Sequence, residues 1–232
     1  MNSNQLSKRL TAVASFVPKG SVTADIGSDH AYLPCYLIHK KIAVSAIAGE
    51  VAEGPFQSAL KQVEDDGLKQ VINVRKGSGL SVLNIGEVDV VTIAGMGGPL
   101  ISQILEDGKS KLPGVQRLIL QPNISAISIR DWLTRNQWKL IAEEILEEDG
   151  KVYEILVAEP SERLIELTYA DRLLGPFLAK ENSAVFQQKW NEEYKQWERI
   201  LRQLTQAEPS EIIEAKKEEL REKMTIVKEA LR

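Results

Sequence analysis

Asp25-Ile26-Gly27-Ser28-Asp29-His30-Ala31 follows directly on an apolar run that begins at Val22. The run reads as a buried strand that ends in a tight acidic loop and opens a helix. A glycine-bearing strand-to-helix loop of this kind is where open α/β sheets take nucleotide-like cofactors. Two acids narrow the choice of ligand, because Asp25 and Asp29 put negative charge where a pyrophosphate would sit. S-adenosylmethionine has a sulfonium and an ammonium and no phosphate, so the loop is expected to take that methyl donor and not a dinucleotide.

Outward from this loop, strands alternate with helices. Residues 5–17 form an amphipathic helix pattern, with Leu6, Leu10, Val13 and Val17 at helical spacing, stopped by Pro18-Lys19-Gly20. Val22–Ile26, Ala43–Ala48, Val71–Arg75, Val88–Ala94 and Leu118–Gln121 read as five strands. Helices are expected after the first strand as far as Lys40, from Ala52 to Asp66, and from Ser125 to Asn136. Lys139–Leu146 and Val152–Ala158, joined through Glu148-Asp149-Gly150, carry the signal of a hairpin. Five βα units and a hairpin predict an α/β fold: a doubly wound, mostly parallel, Rossmann-like sheet finished by a terminal antiparallel strand.

Pro160 marks the expected boundary between a cofactor-binding domain (1–160) and a helical domain (161–232). In the second, Trp190, Trp197 and Leu204 recur every seven residues, as do Ile213, Leu220 and Val227 beyond a Glu208-Pro209 turn. Two heptad stripes joined by a proline turn predict an antiparallel, coiled-coil-like hairpin, with Lys217 interrupting the second stripe.

Composition is that of an ordinary globular protein: 232 residues, 43% hydrophobic, 27% charged, net charge −4. Any anionic partner must therefore be met by a local patch. Cys35 is the one cysteine, which excludes an internal disulfide and a multi-cysteine zinc site, and its apolar helical setting makes it a buried thiol. His30 and His39, with no carboxylate at ligand spacing, give no metal site. No signal-peptide core and no membrane-length apolar run is present, so a cytoplasmic location is expected.

Each strand end supplies candidates. Asp25 can accept a hydrogen bond from the donor's amino group, and Gly27 lets the backbone approach closely. Ser28 or Asp29 reads also as a plain helix N-cap. Glu50 stands where Rossmann-like folds hold the ribose hydroxyls, a feature shared by adenosylmethionine and NAD, and reads equally as a solvated acid. Gly77-Ser78-Gly79-Leu80 reads as a cover for the adenine ring or as a simple turn. Gly95-Met96-Gly97-Gly98 leaves bare backbone for a ligand, and Met96 can pack on it. Gln121-Pro122-Asn123 would aim two amides into the crevice, where they could pair with a base, or would form a turn without function. His30 stacks on a base or holds the loop.

These motifs in this order resemble the bacterial tRNA (adenine-N1)-methyltransferases of the TrmK type, over essentially the whole chain. The resemblance implies a class I methyltransferase domain with a C-terminal coiled coil, transferring methyl from S-adenosylmethionine to N1 of adenine 22 in the tRNA D-loop. Carried over by position, it implies donor contacts at Asp25, Gly27, Glu50, Gly95, Met96 and Gly97. Ser78 stands where the family often has an acid.

Adenine N1 has an available lone pair, so positioning and not a strong base is expected to drive the reaction. Asp29 would favour the positive charge of the methylated ring. Gln121 and Asn123 complete the expected catalytic set. For the polyanionic substrate, Lys8 and Arg9 on the first helix and Lys189, Lys195, Arg199 and Arg202 on the hairpin are the candidate contacts, each also readable as a solvated helix face. The expected state is a monomer or weak homodimer. Three alternatives stay open: a methyltransferase for another substrate, a non-catalytic module whose coiled coil recruits a partner through Trp190 and Trp197, and, last, an NAD-dependent oxidoreductase.

Overall fold

The computed structural model describes residues 2–163, 166–206, 208 and 210–232. Two compact units divide the chain, Met1–Glu166 and Leu167–Arg232, a few residues beyond Pro160.

The first unit is a seven-stranded sheet. Its strands are β1 (Ser21–Ile26), β2 (Ala43–Glu50), β3 (Ile72–Lys76), β4 (Val90–Gly97), β5 (Arg117–Ile124), β6 (Trp138–Glu148) and β7 (Lys151–Pro160), in the order β3-β2-β1-β4-β5-β7-β6. Strands β1 to β5 are parallel, and β7 runs antiparallel to both β5 and β6. The antiparallel strand thus lies inside the sheet, and the strand order reverses between β1 and β4, where such sheets bind their ligands.

The central strands are apolar on both faces because both are covered. Val91 and Ile93 of β4 and Leu118 and Leu120 of β5 pack with helices α4 (Gly98–Asp107) and α5 (Ala126–Arg135). Val90 and Ile119, one step out of phase, pack with α1 (Lys8–Ser15) and α2 (Tyr32–His39). Helix α3 (Glu53–Asp65) covers β2 and β3 through Ala59 and Val63. Ser7 caps α1, its hydroxyl accepting the Leu10 N–H.

Two details depart from expectation. Between β3 and β4 only a short 3₁₀ turn, Gly79–Val82, bridges the sheet, so the third βα unit has no helix. Arg130, fully buried on α5, donates to Glu143 of β6 at 2.7 Å and to Glu154 of β7 at 2.6 Å. That ion triad fixes the hairpin to α5. Nothing in the apolar pattern announces it.

The second unit holds α6 (Tyr169–Leu174), α7 (Pro176–Glu181), α8 (Ala184–Gln206) and α9 (Glu211–Ala230). Helix α6 is opened by a reciprocal cap between Thr168 and Asp171. Its small core joins Leu173, Leu174, Leu178, Phe186, Trp190, Leu220 and Val227, so α9 packs on α6 as well as on α8. Leu204 and Ile213, nearest the connection, are only half-buried. The expected turn at Pro209 lies outside the described residues. Lys217 is buried in the second stripe with its ammonium 2.7 Å from Glu214.

Candidate active site

The carboxyl ends of β1, β2, β4 and β5 meet at one crevice, and the sequence of each end explains its shape. After β1, the Gly27 and Ser28 N–H groups both donate to the Gly49 carbonyl, at 2.9 and 3.2 Å, which ties the loop to the end of β2. Gly27 has φ +74, and a Cβ there would overlap the Met96 methyl, which lies over it. His30 and Ala31 follow with φ 57 and 52. Two consecutive non-glycine residues in the left-handed region hold about 1–3 kcal/mol of strain each. Such strain collects where a loop is shaped for a ligand. The His30 ring stacks on Tyr32, centroids 5.2 Å apart, so it holds the loop.

Asp25 and Glu50 are both buried. Register pairs Asp25 with Thr92 on β4, so their side chains leave the same face, and the Thr92 hydroxyl donates to the carboxylate at 2.7 Å. Burial pushes the Asp25 carboxyl above the usual carboxylate range, against the pull of the Ser28 and Thr92 hydroxyls and the Arg9 charge. Burial likewise raises Glu50, with Asp29 and Asp25 adding to it against one bond from the Val51 N–H. Asp29 itself is exposed. The Asp25 and Asp29 charges thus both bear on Glu50, and a positive group on a ligand would offset them. The buried Ser28 hydroxyl makes no well-formed hydrogen bond. These residues fit a small cationic ligand with an amino group and adjacent hydroxyls, and Thr92 is a site residue that strand alternation alone could not single out.

Gly77 joins this group by donating its N–H to the Glu50 carbonyl at 2.8 Å, which places exposed Ser78 beside the end of β2.

On β4, Gly95 is the extra residue of a bulge between Ala94 and Met96 and has φ +80. A bulge removes backbone groups from the ladder, and side-chain amides replace the lost bonds. Gln121 Oε1 accepts the Gly95 N–H at 2.9 Å, and Asn123 Nδ2 donates to the Gly95 carbonyl at 2.8 Å. Gln121 also accepts from Arg9 and donates to the Pro122 carbonyl, and it is 0% exposed. The expected role of Gln121 as an amide aimed into the crevice is thereby corrected: its amide is consumed in holding the bulge. Asn123 is exposed. Gly97 precedes α4, and at Gly98 a Cβ would overlap the Ser125 carbonyl, so that glycine serves packing between α4 and α5.

The basic candidates divide. Arg9 is half-buried, bonded to Gln121 and set over the Tyr153 ring at 5.3 Å. Lys8 is exposed but engaged with the hairpin, its ammonium 3.0 Å from the Glu147 carbonyl and its backbone N–H on the Glu148 carboxylate. Both candidates on α1 are thus tied to the sheet, Lys8 with its side chain still exposed. Lys195, Arg199 and Arg202 are exposed on α8, while the Lys189 ammonium sits over the Trp190 ring at 4.5 Å. Trp190 is buried, which removes it as a partner surface. His39 pairs with Asp66 at 3.2 Å. Cys35 is buried, and burial pushes its thiol up to about 12. Among the described residues no group of three or more His, Cys, Asp or Glu could hold a metal ion.

Known proteins are similar to this chain over nearly its whole length. Residues 23–229 match the family model described as tRNA (adenine(22)-N(1))-methyltransferase, TrmK. A Bacillus subtilis tRNA (adenine(22)-N(1))-methyltransferase is 53% identical over 237 residues, spanning 100% of this chain and 99% of the relative. The crystal structure of the Bacillus subtilis m1A22 tRNA methyltransferase TrmK superposes with a TM-score of 0.94 at 52% identity, covering 99% of this chain and 100% of that one. A Streptococcus pneumoniae relative solved in complex with S-adenosyl-L-methionine gives 0.89 at 47% identity, covering 98% and 100%.

Proposed function

Because this chain belongs to the tRNA (adenine(22)-N(1))-methyltransferase family, we propose that its crevice carries out that family's reaction with residues in the following roles. S-adenosylmethionine supplies an electrophilic methyl group, which passes in line to the N1 lone pair of adenine 22 in tRNA as the bond to sulfur breaks. Asp25, held by Thr92, accepts the donor's ammonium, and Glu50 accepts the ribose hydroxyls. Gly27, Ser28 and His30 shape the floor beneath it. Gly77 and Ser78 border the adenine of the donor, and Gly95, Met96 and Gly97 form the opposite wall. The single observation that carries this reading is the juxtaposition of two buried acids, Asp25 and Glu50, with a glycine bulge held open by side-chain amides.

The lone pair of N1 is free at neutral pH, so the residues have no proton to remove before transfer. Their work is orientation, which alone can supply several powers of ten in rate. Asp29 stands exposed at the mouth, where its charge favours the cationic product ring. Asn123 borders the acceptor side, and Gln121 supports the wall from behind. Lys195, Arg199 and Arg202 follow the phosphate backbone. The enzyme works in the cytoplasm as a monomer or weak homodimer. Among the described residues no helix is long and apolar enough to cross a membrane.

Labelled methyl transfer from S-adenosylmethionine to an unmodified tRNA transcript, followed by mapping of the labelled nucleotide, tests this function. Label at N1 of adenine 22 is the expected result. Label elsewhere, or none, overturns it.

A further inference from the structure

Ile124, the last residue of β5, and Leu100, in the first turn of α4, are 68% and 53% exposed. They are not scattered. Ile124 pairs in register with Gly97, and its side chain lies 3.8 Å from where a Gly97 Cβ would stand, with the Pro99 ring at 3.9 Å from the same point. Gly98 lets the start of α4 close on the Ile124–Ser125 backbone. Pro99 and Ile124 therefore converge over Gly97, with exposed Leu100 the next residue of α4, and together they make up an apolar ledge at the acceptor side of the crevice, next to exposed Asn123. No charged residue occurs in 90–105 or in 118–129. The nearest cation shown, Arg9 beside Gly95, is taken up by Gln121 and the Tyr153 ring, so the ledge itself offers no charge to a phosphate.

We infer that this ledge packs against the base planes of the acceptor RNA and so keeps the target adenine out of its stack. The inference rests on the function proposed above. N1 lies on the pairing edge of adenine, and a paired or stacked base cannot present it in line to a methyl donor, so the nucleotide must be displaced first. Displacement opens an apolar gap. Aliphatic side chains such as Ile, Leu and Pro serve as wedges against base faces elsewhere among nucleic-acid-binding proteins. Ile124 and Leu100 are such side chains, on backbone fixed by the Gly97–Ile124 pairing and the close Gly98–Ser125 approach, beside an amide that can meet a base edge. Charge-free, apolar and continuous with the site, the ledge suits a nucleobase.

The test uses Ile124→Ser and Leu100→Ser, with Ile85→Ser as a matched control, since Ile85 is 65% exposed at the opposite end of the strands. A tRNA carrying 2-aminopurine at position 22 reports unstacking by its fluorescence. The parent and the control are expected to raise that fluorescence on binding. The two ledge variants are expected to lose most of the rise and at least 10-fold in kcat/KM on tRNA, with S-adenosylmethionine affinity by calorimetry and Tm within error of the parent. An unchanged fluorescence rise in the ledge variants, or no rise in the parent, overturns the inference. So does a parent dimer that the ledge variants dissolve, because a second copy would then be the occupant. Failure of the parent to label adenine 22 at all counts against the proposed function instead, and so separates the two.

Discussion

The backbone N–H of Gly95 donates to the side-chain oxygen of Gln121 at 2.9 Å, in place of the ladder bond that the bulge removes. The same oxygen accepts from Arg9, so one amide joins α1, β4 and β5 at the wall of the crevice. Replacing it leaves the Gly95 N–H and the half-buried Arg9 guanidinium without their acceptor, a loss of about 1 kcal/mol for each bond. Gln121→Ala is expected to weaken S-adenosylmethionine binding about 10- to 100-fold, measured by calorimetry. Gln121→Glu keeps an acceptor and is expected to recover part of that loss.

Asp25 has its carboxyl raised by burial, so its ionised form opposes folding at neutral pH. Asp25→Asn preserves a partner for Thr92 and removes the charge. The apo protein is expected to melt higher, by about 2–4 °C for each kcal/mol relieved. The shift that S-adenosylmethionine adds in the parent should vanish. Melting curves with and without the donor check both halves, and a variant that melts lower would contradict the first.

The fold and the first half of the site are legible in the sequence for one physical reason: they depend on local periodicity and on glycine. The Val22–Ile26 run, the acids at strand ends and the Gly95–Gly98 cluster all mark themselves. What was hidden depends on partners distant in the chain. Thr92 is an ordinary strand residue until register sets it beside Asp25. Arg9 and Lys8 look like a solvated helix face, yet both are engaged with β-strand residues more than a hundred positions away. Gln121 looks like an open amide because the bulge it satisfies has no sequence signature beyond one glycine. The ion triad of Arg130 is invisible for the same reason.

Glu87 accepts two bonds from Arg75, at 2.5 and 2.7 Å, and one from the Asn84 N–H at 2.9 Å, and the guanidinium draws its carboxyl down to about 2. A depressed acid stabilises the fold above its unfolded pKa, near 4.5, and that share is lost as pH falls through 2. Glu87→Gln is expected to reduce unfolding free energy at pH 6 by roughly 1–3 kcal/mol and to differ little from the parent near pH 2. Asp25 and Glu50, raised by burial, titrate in the opposite sense, so acid relieves them. Chemical denaturation at the two pH values separates the contributions.

Lys195 and Arg199 are exposed on α8. Reversing both charges is expected to weaken tRNA binding and to reduce the slope of log K against log salt by about 1.5, the release from two phosphate contacts. Unchanged affinity and slope would exclude this face of the helix as the RNA surface.

Asp29 lies exposed beside its two buried neighbours. Asp29→Asn is expected to lower kcat about 10-fold while leaving donor affinity within about threefold, consistent with a role in stabilising the charged product. Equal turnover in single-turnover assays would rule that role out.

The position of β7 between β5 and β6 has a consequence for biosynthesis. As the polypeptide leaves the ribosome, β5 emerges first and β6 next, yet neither can pair with the other. The edge of β5 stays open until the residues through Pro160 have been translated and the last strand slides into the gap. A truncated product ending after β6 would expose two unsatisfied edges and should be sticky and short-lived, so the sheet is completed only when translation has passed its final strand.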